Sequence, residues 1–205
     1  MTNCLVIGRT NVGKTLFCIN FAEYIGLSKI DVYFQHPDGS RRQKKYDIPS
    51  ARHELSGIGQ HRTRCLQSIQ LELPQGKGTK QFMLADSTGL TEGIHNEQGI
   101  RYAMAQTLDE LRYADCILHM VDSGHVSNVD ESQQNINITE LDRHIAEFGK
   151  TKYGYALLLN KMDMPGSDKM IERINQELKP QCLIPISALY RKGFKEVKEY
   201  VWRMV

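Results

Sequence analysis

GRTNVGKT, residues 8–15, fits the pattern G-x-x-x-x-G-K-[ST]. That pattern describes a loop between a strand and a helix whose backbone N–H groups cradle phosphate oxygens. The flanks agree with it. Cys4-Leu5-Val6-Ile7 is a short apolar run of strand character, and Leu16 to Gly26 carries Leu16, Ile19, Phe21 and Ile25 at helical spacing before a closing glycine. In this context Gly8 permits the tight turn and Gly13 lets the backbone approach a phosphate. N–H groups from Asn11 to Leu16, helped by the helix N-terminus, aim at a β-phosphate. Lys14 is expected to bridge β- and γ-oxygens, and Thr15 to ligate Mg²⁺. Arg9, Thr10 and Val12 complete the cradle.

Outward from this loop, apolar runs alternate with helical patterns. Leu66–Leu73, Phe82–Ala85, Cys116–Val121, Tyr155–Leu159 and Cys182–Ile186 have strand character. Helices are expected over 98–112, 131–148, 168–178 and 191–204. Such alternation implies right-handed βαβ crossovers, an α/β fold with a mostly parallel sheet, and a ligand at the carboxyl ends of the strands. No internal repeat or linker interrupts residues 1–205, so one domain is expected.

Residues 30–64 break the alternation. Two extended arms flank Pro37-Asp38-Gly39, a turn signal, and predict a β-hairpin over 31–47. Its second arm carries Arg41, Arg42, Lys44 and Lys45. These suit a solvated edge strand protected by charge. They equally suit contact with an acidic partner, RNA or a membrane surface.

Bulk composition narrows the classes. The chain has 205 residues, is 40% hydrophobic and carries a net charge of +2, so nothing global demands a nucleic-acid or membrane partner. Its five cysteines are scattered and lack a C-x-x-C pair, which argues against a disulfide framework or structural zinc. The N-terminus lacks a charged leader and an apolar stretch, and no run of about 18 apolar residues occurs. A cytoplasmic location is therefore expected.

Three further motifs carry chemistry. Asp86-Ser87-Thr88-Gly89 follows the Phe82–Ala85 strand; Asp86 can reach Mg²⁺ and Gly89 can offer its N–H to a γ-phosphate. Asn160-Lys161-Met162-Asp163 follows the Tyr155–Leu159 strand. Guanine presents N1–H and an exocyclic amine, and one carboxylate accepts both. Adenine leaves that carboxylate unpaired, so Asp163 selects guanine. Asn160 would brace the loops and the Lys161 stem would cover the base. Ser187-Ala188-Leu189 follows the last strand, and its N–H groups can meet guanine O6.

Taken in this order, the motifs resemble the translation-factor class of P-loop GTPases, with G-x-x-N-V-G-K, D-x-x-G-L and S-A-L-x-x-x-G (Ser187 to Gly193) similar to the Era, TrmE and EngA-like branch. The resemblance implies a three-layer fold around a six-stranded sheet with one antiparallel strand, here Leu66–Leu73. It implies a Mg²⁺-binding, catalytic threonine in the first switch; Thr63 in Gln60-His61-Arg62-Thr63-Arg64 is the match, although the usual preceding Pro-Gly is absent. Leu90 stands where many GTPases have a water-orienting glutamine, so unaided turnover should be slow. In TrmE-like proteins a phosphate-loop asparagine helps hold K⁺, and Asn11 occupies that position. The water-positioning carboxylate of those relatives is matched by Glu97, with Glu92 behind it. Lys14 and Gly89 complete the catalytic set. His61 and His95 read as solvated loop histidines, His119 as a core histidine, Asp122 as the end of that strand, and 123–134 as a polar loop or partner surface.

Two functions fit: a GTP-hydrolysing switch, slow without a partner, and a GTP-holding scaffold with negligible turnover. An ATP-dependent phosphotransferase is opposed by Asp163. The resemblance further implies GTP and GDP as ligands, and a protein or ribosomal partner at the switches and the hairpin. It also implies a nucleotide-dependent homodimer. With Val205 following directly on the last helix, no appended RNA-binding domain is expected.

Overall fold

Thr2–Ile7 forms β1, and its last four side chains are buried alternately on two sides. Cys4 and Val6 enter one core while Leu5 and Ile7 enter another. Burial on both faces explains why this strand reads as a continuous apolar run. The computed structural model describes residues 1–56, 65–75, 78–93, 95–123 and 138–204.

In chain order the remaining elements are α1 (Lys14–Tyr24), β2 (Lys29–Gln35), β3 (Arg41–Asp47), α2 (Ile48–Leu55), β4 (Leu66–Gln75), β5 (Gly78–Asp86) and α3 (Gln98–Tyr113). Then follow β6 (Cys116–Asp122), α4 (Glu140–Lys150), β7 (Gly154–Asn160), α5 (Lys169–Glu177), β8 (Leu183–Pro185) and α6 (Phe194–Met204). The sheet order is β3-β2-β4-β5-β1-β6-β7-β8. One face packs on α1, α2 and α6 through Phe17, Phe21, Ala51, Phe194 and Val201. The other packs on α3, α4 and α5 through Leu111, Ile145, Met170 and Ile174.

Among the described residues the sheet has eight strands, not the six implied by resemblance. The cause is local. The hairpin does not stand apart; β2 pairs with β4 from Val32↔Ile69 to Gln35↔Leu66 and brings β3 with it. The count of reversed strands changes too. β4 is antiparallel to both neighbours and β3 is antiparallel to β2, so two strands run against the rest. Pairing of β5, β1, β6, β7 and β8 is parallel throughout.

The hairpin turn closes with His36 N–H donating to Ser40 O and Gly39 N–H donating to His36 O, both at 2.9 Å. Gly39 takes φ 86°, which suits glycine. In β3 only Tyr46 is buried; Ile30, Val32 and Phe34 of β2 supply the hairpin's share of the core. The cations of β3 are largely engaged locally: Lys44 pairs with Glu54 at 2.7 Å, Lys45 with Asp31 at 3.4 Å, and Arg42 lies over the Phe34 ring.

Helix α2 falls where the sequence predicted no helix. Its start is nonetheless written locally: Asp47 accepts from Ser50 N–H at 2.8 Å as N-cap, and Pro49 sits in the first turn. Helix α4 begins at Glu140 rather than 131, set by a capping box in which Thr139 and Asp142 exchange side chain to backbone bonds. Residues 124–137, which include part of the predicted helix and the polar loop, lie outside the described residues.

Candidate functional site

The parallel strands deliver their carboxyl ends to one edge of the sheet. β1 runs into residues 8–13, β5 ends at Asp86, β6 at Asp122, β7 at Asn160, and β8 leads to Ser187. Five strand ends distant in sequence thus meet, which is where ligands bind in open α/β sheets.

The phosphate loop is built around two glycines that admit no side chain. A Cβ on Gly8 would lie 2.3 Å from the Met120 carbonyl oxygen, and one on Gly13 would lie 2.5 Å from Asn160 Nδ2. Gly13 also has φ 99° at the start of α1. Asn11 is exposed in the left-handed region at φ 63°. Thr10 packs so closely on Gly89 that a Cβ there would sit 2.6 Å from Thr10 Cα.

Lys14 is buried, and its Nζ donates to Gly8 O at 3.1 Å and Arg9 O at 2.8 Å. Burial pushes its ammonium down to about 8, against the pull of Asp86. Asp86 is pushed up to about 6 by burial, against Lys14 and the Thr15 hydrogen bond. Thr15 Oγ1 donates to Asp86 Oδ2 at 2.6 Å, while Asp86 Oδ1 is buried without a hydrogen-bond partner. Both shifts express burial that the attraction between the two groups does not fully offset. A phosphate would restore the ammonium, and a hard divalent cation would restore the carboxylate and occupy the orphaned oxygen. No group of three or more His, Cys, Asp or Glu side chains suited to a metal occurs among the described residues. A cation here would complete its shell from Thr15, Asp86, phosphate and water, as suits Mg²⁺.

Asn160 ties the loops together. Its Nδ2 donates to Val12 O at 2.7 Å, its Oδ1 accepts from Ala188 N–H at 2.8 Å, and its carbonyl accepts from Ser123. Asp163 Oδ1 accepts from Ser187 Oγ at 2.5 Å, which holds the carboxylate beside the loop after β8. Lys161 has φ 67° and pairs with Asp122 at 2.5 Å. Ala188 is buried and Leu189 is 58% exposed, so the first anchors the loop and the second is available to a partner or base.

The structure does not gather every predicted residue. Thr63, with Gln60, His61, Arg62 and Arg64, lies outside the described residues. Glu97 is exposed at the N-cap of α3, its N–H donating to His95 Nδ1, and Glu92 is exposed as well. Leu90 is only 1% exposed and packs in the core with Leu5, Ile7 and Ala85. Its backbone bridges Arg9, with Leu90 N–H donating to Gly8 O and Thr10 N–H to Leu90 O. The side chain at the water-orienting position is therefore a core anchor that roots Asp86–Leu90 against the phosphate loop.

Residue patterns missed a second layer of support. Asn20 of α1 donates to Ala188 O at 2.7 Å and accepts from Arg52 of α2 at 2.7 Å. Arg52 also pairs with Glu23, which binds Arg191 at 2.6 Å. Nothing in the spacing of these residues joins them; only the fold does.

Residues 56–161 match the model of the 50S ribosome-binding GTPase family, just over half of the chain. The chain belongs to this GTPase family. The matched span starts after residues 8–15, so the phosphate loop stands on its own sequence and geometry. The GTPase Obg of Anoxybacillus flavithermus is 27% identical over 119 residues, 58% of this chain and 27% of that protein. That of Shouchella clausii is 29% identical over 121 residues, with the same two shares. The chain thus spans about a quarter of the length of these curated relatives. Among solved structures, Era in complex with MgGDPNP and nucleotides 1506–1542 of 16S ribosomal RNA superposes with a TM-score of 0.66 at 16% identity, over 99% of this chain and 56% of that one. The FeoB G-domain from Methanococcus jannaschii gives 0.53 at 15% identity, over 100% of this chain and 98% of that one. These two likenesses establish the shared GTPase-domain fold. Among the described residues, no helix is long and apolar enough to cross a membrane.

Proposed function

We propose that this chain binds GTP with Mg²⁺ and hydrolyses it to GDP and phosphate as a molecular switch in the cytoplasm. The observation that carries the reading is Asn160 holding Val12 and Ala188 at once, which places Asp163 and the Ser187–Leu189 loop beside the phosphate loop. A base recognised by Asp163 and phosphates held by residues 8–16 then belong to one nucleotide. Lys14 would leave its two carbonyl partners for the β- and γ-phosphates, and Thr15, Asp86 and Thr63 would hold Mg²⁺. Gly89 N–H would meet the γ-phosphate. The direct check is Asp163→Asn, which should exchange preference from guanine to xanthine nucleotides in a fluorescent-nucleotide titration. Unchanged guanine preference, or no guanine binding by the unaltered chain, would sink the assignment.

Turnover is slow without a partner in this reading, because Leu90 is committed to the core and cannot orient water. Asn11, exposed and left-handed in the loop, is the ligand we assign to a stimulating K⁺, and Glu97 the carboxylate that positions water once the second switch closes. The partner, protein or ribosomal, meets the switches and the 31–47 hairpin, and the nucleotide-bound switches pair in a homodimer. We take residues 1–205 to act as one G domain. The buried Leu90 also favours a second reading, a GTP-holding scaffold with negligible hydrolysis. Phosphate release in K⁺ against Na⁺ separates the two: stimulation by K⁺ supports the switch, and silence in both salts, with and without ribosomes, supports the scaffold.

A further inference from the structure

Arg9, the second residue of the phosphate loop, is tied to a buried carboxylate that no loop motif names. Its Nε lies 3.2 Å from Asp142 Oδ2 in α4, and the Asp142 side chain is fully buried. The same oxygen accepts from Thr139 N–H and Thr139 Oγ1, both at 3.1 Å. Oδ1 lies 3.4 Å from His119 Nε2 on β6, and His119 Nδ1 lies 3.1 Å from the Tyr155 hydroxyl on β7. An Nε2–H imidazole satisfies both neighbours, accepting a hydrogen bond from the Tyr155 hydroxyl at Nδ1 and donating one to the carboxylate.

A helix cap alone does not require this arrangement. The capping box uses one carboxylate oxygen towards Thr139, whereas Asp142 turns its other oxygen to His119 on β6. A buried charge held from α4, β6 and, through His119, β7 is a rigid post. Arg9 is attached to it. The backbone of Arg9 meanwhile accepts from Lys14 Nζ and bridges Leu90. The position of Arg9 therefore sets both the resting place of the phosphate-binding ammonium and the root of the Asp86–Leu90 segment.

We propose that Asp142 is a positioning residue for the phosphate loop, acting through Arg9 and braced by His119 and Tyr155. The proposal rests on the nucleotide-binding reading above. Its consequence is that the start of α4 controls how long the loop retains a nucleotide. Stopped-flow release of methylanthraniloyl-GDP from the Mg²⁺-loaded chain tests it. Asp142→Asn keeps shape and a capping acceptor but removes the charge, and should release the nucleotide at least fivefold faster. Arg9→Gln should do the same, and the double variant should be no faster than either single, because both break one link. Arg9→Lys, which keeps a cation for the carboxylate, should recover part of the loss. Ile145→Ala, which removes core packing from α4 without altering the Asp142 cluster, controls for helix stability: it should lower the melting temperature and leave release within twofold. Release from Asp142→Asn that matches the unaltered chain, or additive effects in the double variant, overturns the proposal. If Asp142→Asn does not fold, the Arg9 pair decides: an Arg9→Gln rate equal to wild type overturns it. Absence of any labelled-GDP binding by the unaltered chain would instead overturn the nucleotide reading itself, and is seen before any variant is made.

Discussion

Gly13 shows how little latitude the site allows a single residue. Its φ of 99° and the 2.5 Å approach of Asn160 Nδ2 leave no room for a methyl group. Gly13→Ala should strain the backbone by about 1–2 kcal/mol and displace the amide that holds Val12 O. Guanine-nucleotide affinity should fall at least tenfold, about 1.4 kcal/mol, in an equilibrium titration. Leu90 gives the opposite lesson. Replacing it with the glutamine common at that position should not speed hydrolysis, since the side chain points into packed apolar residues. Leu90→Gln should cost about 2 kcal/mol in urea unfolding, the penalty of burying an amide without partners, and leave phosphate release no faster. Asp142 adds a pH signature. Burial alone would raise its carboxyl, but the His119 hydrogen bond and the nearby Arg9 outweigh it and hold it below the usual 3.8. A depressed carboxyl contributes stability that is present above its unfolded pKa and lost as pH falls through the lower folded value. The stability gap between the unaltered chain and Asp142→Asn should therefore be full near neutral pH and close below about pH 4.

At the scale of elements, α2 acts on the nucleotide edge without touching it. Arg52 reaches Asn20 of α1, and Asn20 holds the Ala188 carbonyl in the loop after β8. Arg52→Ala should lower stability by about 1–3 kcal/mol, because it takes the donor from the buried Asn20 side-chain oxygen, while the more exposed Glu23 regains water. It should weaken guanine nucleotides more than free phosphate, because the loop it braces is the one we propose to face the base and not the phosphates; calorimetric titration with GDP and with pyrophosphate distinguishes the two. The hairpin is a different case. Lys44 and Lys45 already face Glu54 and Asp31, so their charge is partly spent within the chain. That favours the protected-edge role of β3, and leaves Arg41 as the most available cation of the four for an outside contact.

Across the whole molecule, the site has no existence outside the sheet. Residues 8–16, 86–90, 160–163 and 187–189 share no segment, and parallel pairing of β1, β5, β6, β7 and β8 alone puts them on one edge. A ligand that bridges those loops should stabilise the fold as a unit: GDP with Mg²⁺ at about 100 times its Kd should add ~2.7 kcal/mol, seen as a rise in melting temperature that EDTA reduces. The α/β class and the loop motifs were legible in sequence because each is local. A strand buried on both faces reads as an apolar run, and a phosphate loop needs its glycines in a fixed order within eight residues. The antiparallel course of Leu66–Leu73 followed from family resemblance, but the merging of the hairpin into an eight-stranded sheet did not, since β2 finds β4 across more than thirty residues. The same separation hid Arg9–Asp142 and Arg52–Asn20. Sequence by itself determined which groups stand ready for the guanine nucleotide we propose, because that chemistry resides in side chains and short turns. Only the tertiary structure decided that Leu90 is core and that Arg9 of the loop pairs with Asp142 of α4, because burial and long-range pairing are properties of the packed chain.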